Sequence, residues 1–276
     1  RLPSWTPELL DVDAVLVTHA HHDHIGGLLA LYEQFLYSGA WYASAVTIRC
    51  VELAIEDSLR LQQTLDSDVP RDEMRLQRLM SMARPIPASG CIDLGDLRVH
   101  AYPSGHVPGS MQFLFEAKTG AGTHRTVVSG DINPGRTLSV EALELPEPSL
   151  RAAVDVLVVE GTNAFRADAI VDGPAGGDAL RAEIRAQVRR PVLVPAMSLG
   201  RTQEVIAALG ETEWRVGVFG LAARMTAAIG APLPSNVTLV ATQAKRTRRE
   251  DFDVLVSSAG CLQGGPSRSF FESSWN

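Results

Sequence analysis

The sequence predicts a mixed α/β protein in two parts, on three observations. An apolar strand, Ala14-Val15-Leu16-Val17, opens onto a loop dense in histidine. Short strands bounded by turn residues crowd the stretch from Leu97 to Val159. Beyond Gly177, strands alternate with helical stretches, which implies a small parallel α/β unit. At 276 residues, 45% of them apolar, the chain can bury a sizeable core and fill one large or two modest domains.

In order, Leu2 to Asp13 is a proline-punctuated lead-in to the first strand. A helix is expected over Leu28 to Tyr37, where the apolar residues are periodic. Thr47 suits the cap of a helix running to about Gln63, with Val51, Ile55 and Leu59 on one face. Pro70 suits the first turn of another, through Met82, ended by Arg84-Pro85-Ile86-Pro87. Met74, Leu79, Met80 and Met82 read as core filling, and these helices should cover a sheet face. Strands are expected at Leu97 to Tyr102, Gln112 to Glu116, Thr126 to Ser129 and Val154 to Val159. The Gly, Pro and Ala-rich stretch from Val171 to Gly177 is the candidate junction, dividing residues 1–172 from 173–276. After it, Leu180, Ile184 and Val188 share a helix face. Strands follow at Val192 to Val194 and Val216 to Phe219, with helices near Gln203 to Leu209 and Ala222 to Ile229.

The chemistry concentrates in Thr18-His19-Ala20-His21-His22-Asp23-His24-Ile25-Gly26-Gly27, which holds four histidines and an aspartate within six positions. Side chains at alternate positions of an extended segment point the same way, so His19 and His21 can reach one cation while His22 faces elsewhere. The turn then carries Asp23 and His24 toward a second centre. Two cations roughly 3.5–4 Å apart clamp the attacking and leaving oxygens of a hydrolytic displacement. Further on, Gly105 and Gly109 would let the backbone place His106 at a sheet end. Asp131 follows a strand at the same edge, well placed to bridge two cations with its two oxygens. Glu160 ends the Val156 to Val159 strand, where the plain alternative is a surface carboxylate. His100 and His124 lack such contexts and read as a strand residue and a loop residue.

Charge is uneven. Residues 1–172 hold 13 Lys/Arg against 23 Asp/Glu, and residues 173–276 hold 12 against 9. Such asymmetry can put a basic surface opposite an acidic, metal-loading site. Arg181, Arg185 and Arg189 repeat every four residues, and Lys245-Arg246-Thr247-Arg248-Arg249 is the densest basic run. Both are either solvated faces or phosphate contacts. No apolar run approaches the 18 or so residues of a membrane span, which argues against a membrane partner. Cys50, Cys91 and Cys261 show no paired spacing, which suits a reducing, cytoplasmic setting and argues against a thiolate zinc site. Arg1 stands where Met would be, so the chain reads as a fragment.

The HxHxDH stretch, with Ser104-Gly105-His106-Val107-Pro108-Gly109-Ser110 and Ser129-Gly130-Asp131, resembles the metallo-β-lactamase superfamily, an αββα sandwich. Pro191 to Glu204 (PVLVPAMSLGRTQE) and Ser257 to Ser267 (SSAGCLQGGPS) are similar to its β-CASP branch of nucleic-acid-processing nucleases. The resemblance implies an incomplete sandwich over 1–172, its N-terminal strands outside the chain. It implies an inserted α/β cap over 173–276, with the strands and helix that return to the sandwich also outside. It implies two zinc ions, with manganese or magnesium as substitutes: His19, His21 and His106 on one, Asp23 and His24 on the other, and Asp131 bridging. Asp23, Asp131 and Glu160 then carry the catalysis, Glu160 by orienting a metal-bound histidine. Arg181, Arg185, Lys245, Arg246, Arg248 and Arg249 are the candidate nucleic-acid contacts, a solvated face or loop being the alternative. The expected activity is hydrolysis of a phosphodiester, RNA before DNA, with a homo-oligomer also compatible. The alternatives are a hydrolase of a small ester, thioester or lactam, and a non-catalytic nucleic-acid-binding member of the branch.

Overall fold

A computed structural model describes residues 12–34, 37–65, 73–165, 173–187, 191–240, 249–258 and 265–273. The chain divides into two units: Arg1–Pro134 with Ala142–Arg166, and Gly135–Glu141 with Ala167–Asn276.

In the first unit, β1 (Val15–Leu16), β2 (Trp41–Ala43) and β3 (Ala83–Pro85) form a parallel sheet in the order β1-β2-β3. The second sheet runs β4 (Gly90–Leu94), β5 (Leu97–Pro103), β6 (Met111–Thr119), β7 (Gly122–Val128) and β8 (Val156–Val158), antiparallel except for the β7–β8 pair. The two-residue period of a strand sorts the side chains. On β5 and β6, Val99, Ala101, Met111 and Phe113 turn inward and meet Leu16 of β1 and Tyr42 of β2 in the core between the sheets. Trp41 and Ala43, one residue either side of Tyr42, are fully buried, and the Trp41 indole donates to the Leu79 carbonyl at 2.8 Å. That bond ties the outer face of the first sheet to α4 (Glu73–Ser81), which packs with α2 (Leu28–Gln34) and α3 (Ala45–Leu65). On the far face of the second sheet, Tyr102, Leu114 and Val127 pack under Leu150 of α5 (Pro148–Arg151) and Val154. The layers are therefore helix, sheet, sheet, helix.

Several sequence expectations need correction. Ser44, not Thr47, caps α3: its Oγ accepts the Thr47 N–H at 2.9 Å, and Thr47 sits inside the helix. Arg84-Pro85 does not merely stop a helix but lies in β3, an edge strand where proline leaves no ladder bond unmade. Pro70 lies outside the described residues. Met74 is 77% exposed and is not core filling. His124 lies in β7 rather than a loop. Between Thr18 and Leu28 the expected loop contains one helical turn, α1 (His22–Ile25).

The second unit is a four-stranded parallel sheet ordered β11 (Val237–Val240), β10 (Val216–Phe219), β12 (Val254–Ser257), β9 (Val192–Pro195). One face is covered by α6 (Gly173–Ala186), α7 (Arg201–Leu209) and α8 (Leu221–Ile229), through Ile184, Ile206, Leu209, Ala222 and Ala223. Phe219, Phe252 and Leu255 on the other face meet Phe270 of α9 (Gly265–Ser273). Strands buried on both faces read as near-continuous apolar runs, as the two central strands β10 and β12 do here. Gly173 to Gly177 start α6 rather than forming an extended connection.

Candidate metal centre

The centre is built where strands of the first unit end. β1 runs into Thr18, whose carbonyl accepts the Met111 N–H at 2.9 Å, fastening the histidine loop to the start of β6. His19 is fully buried, and His21 precedes α1, which carries Asp23 and His24. Between β5 and β6 the chain turns tightly: Ser104 N–H donates to the Ser110 carbonyl at 3.1 Å, with Gly105 and Gly109 at φ of 73° and 81°. Those left-handed conformations favour glycine. The Gly109 carbonyl lies 2.7 Å from Ser44 Oγ and 2.9 Å from Thr47 Oγ1, so the first turn of α3 holds the His106 loop. Asp131 follows β7 through Gly130, at φ 55°.

These segments converge. His19 Nε2 lies 3.1 Å from His21 Nδ1, and His106 Nε2 lies 3.2 Å from the same nitrogen. Asp131 Oδ2 lies 3.7 Å from His19 Nε2 and 3.5 Å from His106 Nε2, while Oδ1 lies 3.3 Å from His24 Nε2. One ligand atom from each of His19, His21, His106 and Asp131 falls within 4.8 Å of the others. The carboxylate thus has one oxygen toward the His19 and His106 imidazoles and the other toward His24. Asp23 stays at the rim, 80% exposed, 3.6 Å from His24 Nε2. His22 is exposed and opens the helical turn α1, outside the group of converging ligand atoms.

Electrostatics oppose protons in this cluster. Burial, then the neighbouring His24, His21 and His106, push His19 down to about 2. Burial first and then His21 hold His106 below its usual value, against the pull of Asp131 and Glu160. Imidazole nitrogens of His19, His21 and His106 converging with one carboxylate fit a divalent cation of the kind that nitrogen and oxygen ligands hold.

Glu160 takes a different part from the one expected. Its Oε1 accepts the Ile132 N–H at 3.2 Å and its Oε2 accepts the Thr162 N–H at 2.9 Å. Hydrogen bonding from Thr162, and to a lesser degree from Ile132, with the nearby charge of His106, holds its carboxyl below the usual range against the opposing effect of burial. The carboxylate therefore braces the backbone next to Asp131 rather than a histidine ring.

The nucleic-acid candidates lie apart from this cluster in the chain. The Arg181 guanidinium donates to the Ala208 carbonyl at 2.6 Å and pairs with Asp178. Arg185 stands 5.4 Å over the Trp214 ring, 3.9 Å from Glu213, with its side chain 58% exposed. Arg249 begins a short 3-10 turn, Arg249–Asp251. Lys245, Arg246, Arg248 and Arg189 lie outside the described residues.

Sequence reasoning missed Thr18, Ser44 and Gly130. Only Gly130, a glycine directly before a candidate ligand, carried a signal that could have exposed it.

Residues 4–136 match the profile of the metallo-beta-lactamase superfamily. Ribonuclease TTHA0252 of Thermus thermophilus is 31% identical over 72% of this chain and 43% of its own length. Transcription termination factor FttA of Pyrococcus horikoshii is 26% identical over 95% of this chain and 44% of its own. Cleavage and polyadenylation specificity factor subunit 3-I of Arabidopsis thaliana is 26% identical over 72% of this chain and 28% of its own. The chain thus spans less than half the length of these relatives. A solved Enterococcus faecalis protein of unknown function superposes with a TM-score of 0.52 at 14% identity, covering 89% of this chain and 58% of that one, which supports the fold alone. Together with the layered sandwich and the separate parallel α/β unit, these likenesses show that the chain belongs to the metallo-β-lactamase superfamily, in its β-CASP branch.

Proposed function

We propose that the chain is part of a zinc-dependent phosphodiester hydrolase acting on nucleic acid, RNA before DNA. One observation carries this reading: Asp131 divides its two oxygens between His24 and the group formed by His19, His21 and His106. His19, His21 and His106 would hold one ion, Asp23 and His24 the other, with Asp131 between them. A zinc pair there supplies an activated water and a clamp for the departing oxygen. The chain's own part is to disfavour protons on His19 and His106, to set the Asp131 carboxylate between them and His24, and to fix the Asp131 backbone through Glu160. Zinc is favoured because three of the four clustered ligands are imidazoles.

Residues 1–172 would be the hydrolytic domain and 173–276 the cap, with Arg185, Arg249 and the 245–248 run offering phosphate contacts. RNA is favoured by the relatives, one named as a ribonuclease and another as a cleavage and polyadenylation specificity factor subunit. A reducing, cytoplasmic setting agrees with Cys50 and Cys91, free thiols of the described residues. Among those residues no helix is long and apolar enough to cross a membrane.

The test is metal content by mass spectrometry together with cleavage of 5′-labelled RNA and DNA oligonucleotides, for this chain and for His21→Ala. The parent is expected to retain zinc and cut RNA, and the variant to lose both. Equal cleavage by the two proteins would refute the reading.

A further inference from the structure

Thr18 lies just before the first histidine of the cluster, and its hydroxyl sits between two rings. Its Oγ1 is 3.1 Å from His19 Nδ1 and 3.4 Å from His24 Nδ1. Both rings therefore turn the opposite nitrogen inward. His19 Nε2 faces His21 and Asp131 Oδ2, and His24 Nε2 faces Asp131 Oδ1. The two rings lie with centroids 4.1 Å apart.

A neutral imidazole has one N–H and one lone pair, so a ring that offers Nε2 to a cation must keep its proton on Nδ1, and that proton needs an acceptor. A hydroxyl oxygen has two lone pairs and can accept from two rings at once. Thr18 is also held in place on both sides. Its carbonyl takes the Met111 N–H, and Gly130 leaves room for its side chain: a Cβ on Gly130 would stand 2.7 Å from Thr18 Cγ2 and 3.0 Å from Oγ1. Branching at Cβ restricts the hydroxyl further, since few χ1 settings remain.

We propose that Thr18 is a positioning residue common to both halves of the metal centre, its Oγ1 accepting the Nδ1–H of His19 and of His24 and so presenting both Nε2 lone pairs to the cations. This rests on the two-metal hydrolase reading. Because one oxygen serves a ligand of each ion, losing it weakens both ions together, whereas a single-ligand defect falls mainly on one.

The test compares Thr18→Val, which keeps the shape and removes the hydroxyl, with Thr18→Ser, which keeps the hydroxyl. In the metal-free parent, two-bond proton–nitrogen couplings should show His19 and His24 carrying the proton on Nδ1. Rings protonated on Nε2 would overturn the proposal without any variant. Zinc titration against a chromophoric chelator should show both equivalents weakened 10–100-fold in Thr18→Val and near-parental binding in Thr18→Ser. Circular dichroism melts of the three proteins establish that each is folded. Parental binding by Thr18→Val, or weakening of one equivalent alone, would overturn the shared role while leaving the metal reading intact. A parent protein that binds no zinc would sink that reading instead, and the coupling data would still judge the hydrogen bonds.

Discussion

Acidifying the metal-free protein from pH 7 to pH 5 should destabilise its first unit, and His19 should account for a definable part of the loss. The side chain is fully buried, and its conjugate acid is pushed down to about 2, by burial first and by His24, His21 and His106 after it. In the unfolded chain the same ring takes up a proton near pH 6.5. Between those values the unfolded state holds the extra proton, so this contribution is fully present above about pH 6.5 and shrinks as pH falls. At about 1.36 kcal/mol per pH unit, the 1.5 units from 6.5 to 5 remove about 2 kcal/mol. His106 acts in the same direction. Hydrogen exchange of the β5 and β6 amides in the presence of a chelator isolates the first unit, and His19→Asn removes the titrating group. The stability difference between parent and variant should change by about 2 kcal/mol between pH 7 and pH 5. Identical pH slopes for the two proteins would refute the assignment of that penalty to His19.

Two further substitutions probe the scaffold. Gly109→Ala should cost about 2–4 kcal/mol and weaken zinc binding, because a left-handed residue gains a side chain that collides with its surroundings. The added Cβ would lie 2.7 Å from Val46 Cβ and 2.8 Å from Ser44 Oγ. A thermal melt and a zinc titration of the variant check both effects. In the second unit, Glu204 accepts Leu138 N–H at 3.0 Å, Ser139 N–H at 2.9 Å and Thr137 Oγ1 at 2.6 Å, and also meets Ser139 Oγ. Glu204→Ala should destabilise that unit by about 2–4 kcal/mol, read as faster hydrogen exchange at Leu138 and Ser139.

The cluster was legible because its chemistry is local or punctuated. HxHxDH after an apolar strand announces itself, and Gly105 and Gly109 mark the bend that brings His106 to the same rim. The parallel unit was legible from alternating strands and helices. The cap of α3 was not, since Ser44 and Thr47 are both good caps three residues apart, and only the extent of β2 decides between them. β4 was overlooked although Gly95-Asp96 joins it to β5 through a two-residue turn, Gly95 having φ 73°. Arg181 looked like a phosphate contact because helical periodicity says which residues share a face, not that a carbonyl 27 residues away will occupy one of them. Glu160 fails for the same reason: a carboxylate at a strand end does not announce that it will meet the Ile132 N–H, 28 residues away.

Among the described residues β8 is the margin of the five-stranded sheet, with β7 its partner, and it exposes Val156, Leu157 and Val158 at 42%, 62% and 52%. A border of this composition is adhesive: its backbone groups can template a foreign strand, and its side chains add no charge to repel one. Handled by itself at high concentration, the chain should cloud through edge-to-edge pairing. Solubility, rather than loss of the histidine cluster, would then set the practical ceiling on any preparation.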